Sequence, residues 1–255
     1  MKVSDTVRGD LQELANEKKI IKVHGGALSQ SFNYSGSPTE KVYALEEKKI
    51  IVRKAVELLG DGMFVLTTGG TTILEITRML PPQLKATFIS RNVPAVLEYT
   101  RHPNSEVIII GDKVSKASKI SVGGDAIARI RQIKADLCLM GITAIDHRHG
   151  VTDNDWEGVQ VKKAMIESSQ TTVSLTIAEK AAPLQPVQVC RADEITTLVT
   201  ELLPGDPRLD SHGVYPGNSL RAYLQQQFPH GFLRLWFRGC CARAGRHKIV
   251  GAGYR

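Results

Sequence analysis

Thr67-Thr68-Gly69-Gly70-Thr71-Thr72 separates two apolar segments of different periodicity and decides the expected fold. Before it, Met63-Phe64-Val65-Leu66 is a short apolar run typical of a buried strand. After it, Ile73–Leu80 has helical apolar spacing, and Pro81-Pro82 ends the helix. Paired glycines let the backbone approach a ligand closely, and the first N–H groups of a helix lie at the positive end of its dipole. The stretch therefore predicts a strand, a turn and a helix, with the turn binding a phosphate or another small anionic group.

The same six residues also allow a tight turn with threonine caps and no ligand. The turn is not a Walker A loop, because no Gly-Lys-Ser/Thr follows, and it lacks the three spaced glycines of the dinucleotide fingerprint. The hexapeptide alone leaves both interpretations open.

The net charge of +7 on 255 residues is concentrated at one end of the chain. Residues 205–255 contain seven Arg and one Lys against two Asp, a charge of +6, which leaves +1 for the rest. A near-neutral body argues against a broad nucleic-acid-binding surface, so any DNA contact must be local. We expect residues 204–255 to be an atypical basic tail, either a nucleic-acid-binding extension or the non-native product of a shifted reading frame.

Chain length and cysteine usage indicate the broad class of the protein. A chain of 255 residues can hold one large domain, or a small one plus a medium one, with an ample core. No secretory signal is recognisable, and no apolar run approaches the roughly 20 residues that span a bilayer. Cys138 and Cys190 lie in apolar strand-like runs and are expected to be small buried hydrophobes, which fits a reducing cytoplasm.

The first 38 residues suggest a small separate unit. Residues 4–19 combine cap-type residues with helical apolar spacing, and Ile20–Val23 is typical of a short strand ending at His24-Gly25-Gly26-Ala27. A helix followed by a basic hairpin fits a DNA recognition helix with its wing, and equally a surface helix packed on the main domain. The polar residues 29–38 predict a linker.

From Thr39 onwards the predicted helices and strands alternate, beginning with a helix from Glu40 to Leu59 whose charged residues are expected to face solvent. The other predicted strands are 86–89, 106–110, 137–140, 172–176, 187–190 and 196–199, and the other predicted helices are 93–101, 126–133 and 157–168. This alternation predicts an α/β domain with a largely parallel sheet, whose ligands bind beyond the carboxyl ends of the strands. Three polar turns are expected to converge there on Gly69-Gly70: Ser90-Arg91-Asn92, Gly123-Gly124-Asp125 and Gly141-Ile142-Thr143.

Ser4-Asp5-Thr6-Val7-Arg8-Gly9-Asp10-Leu11 and Ile21-Lys22-Val23-His24-Gly25-Gly26-Ala27 resemble the second half of the winged helix-turn-helix of DeoR-family regulators. In that family the helix carries Thr-Ile-Arg-Arg-Asp-Leu, and Gly9 replaces the second arginine. Because the family has already built its earlier helices at this point, the resemblance implies a partial module over residues 1–28. The DNA-binding residues it implies are Ser4, Thr6, Arg8, Lys22 and His24.

The sensor domain of the same family resembles five separated segments within residues 39–203. Gly69-Gly70-Thr71-Thr72 resembles its Asp-x-Gly-Thr-Thr loop, Gly123-Gly124 a second loop, and residues 161–166 its Val-Lys-Arg-Ala-Met-Ile helix. Asn92 and Lys180 lie near its Thr-Asn and Ser-Lys pairs. The resemblance implies a Rossmann-like, mostly parallel sheet flanked by helices, similar to ribose phosphate isomerase, glucosamine phosphate deaminase and the CoA-transferases. The ligand-binding residues it implies are Thr68, Gly69, Gly70, Thr71, Thr72, Arg91, Asn92, Gly123, Gly124, Asp125, Lys162 and Lys180.

Three residues depart from the family pattern at this site. Thr68 stands where the family has Asp, Arg91 where it has Thr, and Gly158 where it has Glu. A carboxylate suits sugar hydroxyls because ionised oxygens make stronger hydrogen bonds, so losing two of them leaves the identity of the ligand open. Arg91 in exchange could bind a phosphate or carboxylate through two parallel hydrogen bonds. Lys162 is expected to be a helix-surface charge that reaches toward the pocket.

Five other residues invite functional interpretations that the sequence does not favour. His147 and His149 alternate with charged residues, but no third ligand is apparent, so we expect an exposed turn and no metal. Asp153 and Asp155 are expected to cap the following helix and not to form an acid/base pair. Trp156 is expected to be a packing residue, with a place at the pocket mouth as the alternative.

The resemblance implies a transcriptional regulator, most simply a repressor, and a cytoplasmic location fits it. Its expected partners are operator DNA and a small-molecule effector, a sugar phosphate or sugar acid, and a homo-oligomer (dimer or tetramer) would match paired half-sites. No cofactor, metal or membrane contact is expected. Two alternatives stay open. One is an isomerase or deaminase, which would need a positioned base that the turn does not obviously supply, and the other is a ligand-binding remnant without DNA binding.

Overall fold

The computed structural model describes residues 2–17, 20–23, 26–29, 42–111, 113–116, 118–146, 148–180, 184–203, 206 and 235–236. The helices in these ranges are α1 (Lys2–Asn16), α2 (Leu45–Val56), α3 (Thr71–Met79), α4 (Val93–Tyr99), α5 (Gly124–Ile130) and α6 (Trp156–Glu167). The strands are β1 (Ile20–Val23), β2 (Gly26–Ser29), β3 (Phe64–Thr67), β4 (Thr87–Ser90), β5 (Glu106–Ile109), β6 (Lys113–Val114), β7 (Ser121–Val122), β8 (Ala135–Gly141), β9 (Ala144–Asp146), β10 (Gly150–Asp153), β11 (Ser169–Leu175), β12 (Val187–Cys190), β13 (Thr197–Val199) and β14 (Leu235–Trp236).

The central sheet has the strand order β14-β13-β11-β8-β3-β4-β5. The six strands from β13 to β5 are parallel, and β14, from the predicted tail, pairs antiparallel with β13. The predicted α/β fold with a mostly parallel sheet is therefore confirmed. Parallel strands place all their carboxyl ends at one edge, so the turns that follow β3, β4, β8 and β11 meet there.

Hydrophobic layers cover both faces of this sheet. Along β8, Leu139 belongs to the cluster that includes Ile76 of α3, whereas its neighbour Cys138 belongs to the cluster that includes Met165 of α6. Successive strand residues face opposite sides, so a strand buried on both faces has no polar alternation in its sequence. The predicted burial of Cys138 and Cys190 is confirmed, and both are free thiols.

The N-terminal residues form the predicted helix and hairpin. Leu11 and Leu14 are half-buried on α1, while most of the described side chains around them are exposed, as expected for an amphipathic helix. Strands β1 and β2 pair antiparallel, with Ile20 opposite Ser29 and Val23 opposite Gly26. Strand β2 thus extends into Ser29, the first residue of the predicted linker; residues 30–38 lie outside the described residues.

Two predictions about secondary structure are wrong. The helix predicted from Glu40 begins only at Leu45, because Ala44 adopts a left-handed conformation with φ 51° that breaks the helical path. Strand β12 does not continue the parallel sheet but pairs antiparallel with β10 in a separate three-stranded sheet with β9. Gly150 permits this approach, since its φ is 71° and a Cβ there would lie 2.1 Å from the carbonyl oxygen of Cys190.

Candidate functional site

The turn between β3 and α3 has the form that the sequence predicts. Gly70, the residue before α3, has φ 113° and ψ 165°, and no side chain caps the helix. No atom lies within 4 Å of the position that a Cβ of Gly70 would occupy. The start of α3 is therefore uncapped and has open space beside Gly70, at the positive end of the helix, which suits an anionic ligand.

Neighbouring turns pack directly against this one, as predicted. A Cβ on Gly69 would lie 2.9 Å from Ile120 Cγ2 and 3.0 Å from Asn92 Nδ2, so only glycine allows this approach. The buried Thr68 accepts a hydrogen bond from the backbone N–H of Gly141 through its Oγ1, at 2.9 Å. The turns after β3, β4 and β8 thus lie against one another at the carboxyl edge of the sheet.

A second glycine turn has nearly the same backbone conformation. Gly123, before α5, has φ 120° and ψ 168°, again without a side-chain cap, and Gly124 and Asp125 are exposed. Strand β7, which leads into this turn, is fixed beside Arg91, because the N–H of Ser121 donates to the carbonyl oxygen of Arg91 at 2.8 Å. Two helix starts with unusual glycine geometry therefore flank the residues that follow β4.

Lys162 is buried in an ion pair, which corrects its prediction as a helix-surface charge. Its Nζ donates to Asp153 Oδ2 at 2.5 Å, and both side chains are almost fully buried. Burial acts to raise the pKa of Asp153, but Lys162 and the N–H groups of Asn154 and Asp155 together lower it below its ordinary value. Asp153 is thus a fixed counter-charge at the site and not the predicted helix cap.

Two further lysines, Lys180 and Lys48, lie close enough for their charges to interact, and Lys180 also interacts with Lys162. Lys180 is partly buried and donates to the carbonyl oxygen of Ile142 at 2.9 Å. Desolvation, together with the positive charges of Lys48 and Lys162, lowers its pKa to about 8. Sequence reasoning missed Lys48, because it placed the charged residues of α2 in solvent. Lys48 is buried, its Nζ donates to the carbonyl oxygen of Tyr43, and burial lowers its pKa to about 8.

Arg91 is also buried, with 3% of its surface exposed. Its Nη1 donates to the carbonyl oxygen of Ser121 at 3.2 Å, and its Nε has no hydrogen-bond partner. Burial lowers its pKa to about 10, against the opposing influence of Asp155 and Asp153. A Cβ on Gly158 would lie 3.4 Å from Arg91 Nη2 and 2.3 Å from Asp155 Oδ2. The family resemblance implies a ligand role for Arg91, but the sequence does not show that Gly158 lies beside it.

Other predicted features have mixed outcomes. Asp155 precedes α6 at the capping position, but its side chain makes no cap hydrogen bond. Trp156 is 67% exposed, so its prediction as a packing residue is wrong. His149 lies in the exposed turn between β9 and β10, as expected, with its Nδ1 2.8 Å from Asp146 Oδ1, and His147 lies outside the described residues.

Neither a metal cluster nor a membrane helix is found in the part of the chain that the structure describes. Within those ranges, no group of three or more His, Cys, Asp or Glu side chains is placed to hold a metal ion. The described helices include none that is long and apolar enough to cross a membrane.

The residues predicted to bind DNA lie on α1 and on the hairpin. Thr6 and Arg8 are exposed on α1, and Lys22 is exposed on β1 with its Nζ donating to Gln12 Oε1 at 2.7 Å. Ser4 lies in α1, but its side chain is outside the described residues, as is the whole of His24. The exposed cations could reach a phosphate backbone.

Comparison with known protein families gives two matches along the chain. Residues 44–202 match the family model of the DeoR C terminal sensor domain, and residues 1–32 match that of the DeoR-like helix-turn-helix domain. The first match alone covers more than half of the 255 residues.

Curated relatives align over most of their own length. The HTH-type transcriptional regulator GlpR of Haloferax volcanii is 29% identical over 214 residues, which cover 82% of this chain and 84% of that protein. The HTH-type transcriptional repressor GlcR of Bacillus subtilis is 28% identical, with 82% and 83% covered. The glycerol-3-phosphate regulon repressor of Haemophilus influenzae is 27% identical, with 78% of each covered. These relatives are regulators, which decides against the isomerase or deaminase alternative.

Two solved structures match part of this chain, and the two differ from each other in function. eIF2B beta from Chaetomium thermophilum has a TM-score of 0.47 at 17% identity, over 67% of this chain and 55% of that chain. Ribose 5 phosphate isomerase A from Neisseria gonorrhoeae has a TM-score of 0.36 at 15% identity, over 51% and 49%. At these scores the likeness carries no inference about function.

Proposed function

This chain belongs to the DeoR family of transcriptional regulators, and from that premise we propose that it represses a carbohydrate-metabolism operon under the control of a phosphorylated sugar or sugar acid. In this proposal residues 39–203 are the sensor, residues 1–28 contact operator DNA, and residues 29–38 connect the two. One of the relatives supports the choice of metabolite class, since it is named as the repressor of a glycerol-3-phosphate regulon.

The geometry of the Gly70 turn carries the proposal. An uncapped helix start that opens on free space favours a phosphate, because its N–H groups and the helix dipole both attract negative charge. Three buried or partly buried cations lie near the same edge of the sheet: Arg91, Lys162 and Lys180. One of the nearby carboxylates, Asp153, is already paired with Lys162, so positive charge remains for a ligand.

Regulation requires that the effector bind two DNA-binding arrangements of the protein with different affinity. In the proposed mechanism the effector draws together the turns after β3 and β4 and the α5 start, and residues 29–38 transmit the change to α1. A two-fold oligomer, a dimer or tetramer, would present two such helices to paired half-sites. Acting on an operator puts the protein in the cytoplasm, where the free thiols Cys138 and Cys190 stay reduced.

The test measures both activities on the full chain. Fluorescence anisotropy with DNA from upstream of the regulated operon should show binding that phosphorylated sugars alter. Arg8→Ala and Lys22→Ala should weaken it and reduce the salt dependence, by about one unit of slope each. Arg101→Ala, which removes an exposed cation beyond α4, is the matched control and should have no effect.

Three results separate the proposal from its alternatives. DNA binding that responds to a phosphorylated sugar supports it. Effector binding without any DNA binding would indicate the ligand-binding remnant instead. If no phosphorylated sugar or sugar acid raises the melting temperature in a thermal-shift screen, the sensor half of the proposal is wrong.

A further inference from the structure

Arg91 is a buried charge with most of its hydrogen-bonding capacity unused. A guanidinium has five N–H donors. Within the described residues, Arg91 Nη1 donates a hydrogen bond to the carbonyl oxygen of Ser121, and Arg91 Nε has no partner. No ion pair joins it to any carboxylate of the described residues. Because a buried charge is costly unless it is paired, this group is suited to bind an anion supplied from outside the chain.

Gly158 provides the space in which the guanidinium lies. A Cβ at this position would lie 2.3 Å from Asp155 Oδ2 and 3.4 Å from Arg91 Nη2, so both charged groups converge on the bare Cα. The guanidinium of Arg91 and the carboxylate of Asp155 therefore both lie close to Gly158, yet they are too far apart for an ion pair. A ligand group that binds the guanidinium from outside the chain would therefore lie near the carboxylate of Asp155 as well.

The backbone around Arg91 contacts the Gly69-Gly70 turn, where the phosphate is expected to bind. The next residue, Asn92, has its Nδ2 3.0 Å from the Cβ position of Gly69. On the other side, Ser121 donates its N–H to the carbonyl oxygen of Arg91 and lies two residues before Gly123. Arg91 thus belongs to the same site as both glycine turns, but its guanidinium is directed toward α6.

We propose that the effector is a phosphorylated sugar acid, whose phosphate binds at the Gly70 turn while its carboxylate binds Arg91. This inference rests on the proposed function and narrows its ligand class. A guanidinium fork matches the two oxygens of a carboxylate, and the adjacent Asp155 can accept a hydrogen bond from a hydroxyl of the same acid. A sugar phosphate without a carboxylate would leave the donors of Arg91 unpaired in the complex, which lowers its affinity.

Three pairs of probes test this, each differing only in whether one end carries a carboxylate or a hydroxymethyl group. The pairs are 3-phosphoglycerate and glycerol 3-phosphate, 4-phosphoerythronate and erythritol 4-phosphate, and 6-phosphogluconate and glucitol 6-phosphate. Calorimetry with the full wild-type chain should show an at least tenfold preference for the acid in one pair or more, about 1.4 kcal/mol.

Two variants identify the group that causes the preference. Arg91→Gln removes the charge and the guanidinium fork while keeping a polar amide, and it should reduce the preference to less than threefold. Asp155→Asn removes a negative charge at an exposed position, which the fold tolerates more easily, and it should increase the preference because repulsion of the carboxylate is lost. Arg101→Gln is the matched control and should keep the wild-type ratio.

Each outcome bears on the inference. Equal affinity within all three pairs in the wild type, a preference that survives Arg91→Gln, or one that falls in Asp155→Asn would overturn it. Such results leave the proposed function intact if phosphates still bind. Failure of all six probes to bind would count against the phosphate site itself and hence against both proposals. If Arg91→Gln does not fold, the wild-type ratio and the Asp155→Asn ratio still decide.

Discussion

Gly70→Ala tests the glycine turn more sharply than any other single substitution. Gly70 has φ 113° and ψ 165°, a conformation that residues with a Cβ rarely adopt. The added methyl group would meet no atom within 4 Å, so no steric clash with the protein contributes. The whole cost is backbone strain, and we expect the free energy of unfolding to fall by roughly 1–3 kcal/mol.

The substitution must also weaken effector binding. If the alanine keeps the native backbone, its methyl group occupies the open space in which the phosphate is expected. If the backbone rotates to relieve strain, the N–H groups at the start of α3 turn away from the ligand. Both responses remove interactions with the phosphate, and we expect affinity to fall at least tenfold.

Thermal unfolding with and without a phosphorylated ligand measures both effects. At a ligand concentration 100 times the wild-type Kd, binding adds about 2.7 kcal/mol, a rise in Tm of roughly 5–11 °C at about 2–4 °C per kcal/mol. A tenfold loss of affinity reduces that stabilisation to about 1.4 kcal/mol. Gly62→Ala is the matched control, since Gly62 also has a positive φ, 78°, and no atom within 4 Å of a Cβ, but precedes β3 at its other end.

The control should lose stability while keeping the full ligand-induced rise in Tm. The reasoning is refuted if Gly70→Ala keeps the full rise, or if Gly62→Ala loses it to the same extent. In either case the Gly70 turn is a structural feature and not part of the ligand site.

Three further predictions concern the polar groups around the turn. Lys162→Met should lower the free energy of unfolding by roughly 3–5 kcal/mol because it leaves Asp153 buried without its partner. In urea unfolding, the double variant that adds Asp153→Asn should recover part of this loss. A loss below about 1 kcal/mol in Lys162→Met alone would contradict the pairing. Asn92→Ala should cost about 1 kcal/mol, since the side chain accepts a hydrogen bond from a first-turn N–H of α4, whereas Asn92→Asp should keep the cap; equal losses would argue against capping. Affinity for a phosphate ester, measured by calorimetry, should fall between pH 7.5 and 9.5 as Lys180 and Lys48, both with pKa about 8, lose their protons. Lys180→Met should make affinity depend less on pH. An unchanged pH profile in this variant would exclude Lys180 from ligand binding.

The lowered pKa of Lys180 also predicts how the stability of the protein without ligand changes with pH. The pKa of Lys180 is about 8 in the folded protein and near its ordinary 10.5 in the unfolded chain. The unfolded state therefore binds more protons between these values, and the contribution of this group to stability rises with pH across that window. Binding of an anion should offset the shift by favouring the charged lysine.

Local patterns in the sequence predict the strand, turn and helix around Gly69-Gly70, because burial, glycine conformation and helix starts each leave a signal within a few residues. The convergence of the turns after β3, β4 and β8 also follows from the sequence, since a parallel sheet places their ends at one edge. Those parts of the account needed no knowledge of side-chain contacts.

The burial of the charged residues could not be predicted in the same way. Helical spacing shows that Lys48 and Lys162 lie on charged stretches, but not that one meets the carbonyl oxygen of Tyr43 and the other Asp153. Asp153 is the last residue of β10, whose position depends on its pairing with β12 and on the close approach of Gly150 to that strand. Interactions between distant segments therefore decide which charges face the site.

A crystal structure of the full chain with its tightest-binding phosphate ester tests the central claim most directly. The account predicts phosphate oxygens within hydrogen-bonding distance, about 3 Å, of the backbone N–H groups of residues 70–72, with Gly70 keeping its positive φ. A phosphate bound elsewhere, with the Gly70 turn empty or filled by a side chain, would contradict it.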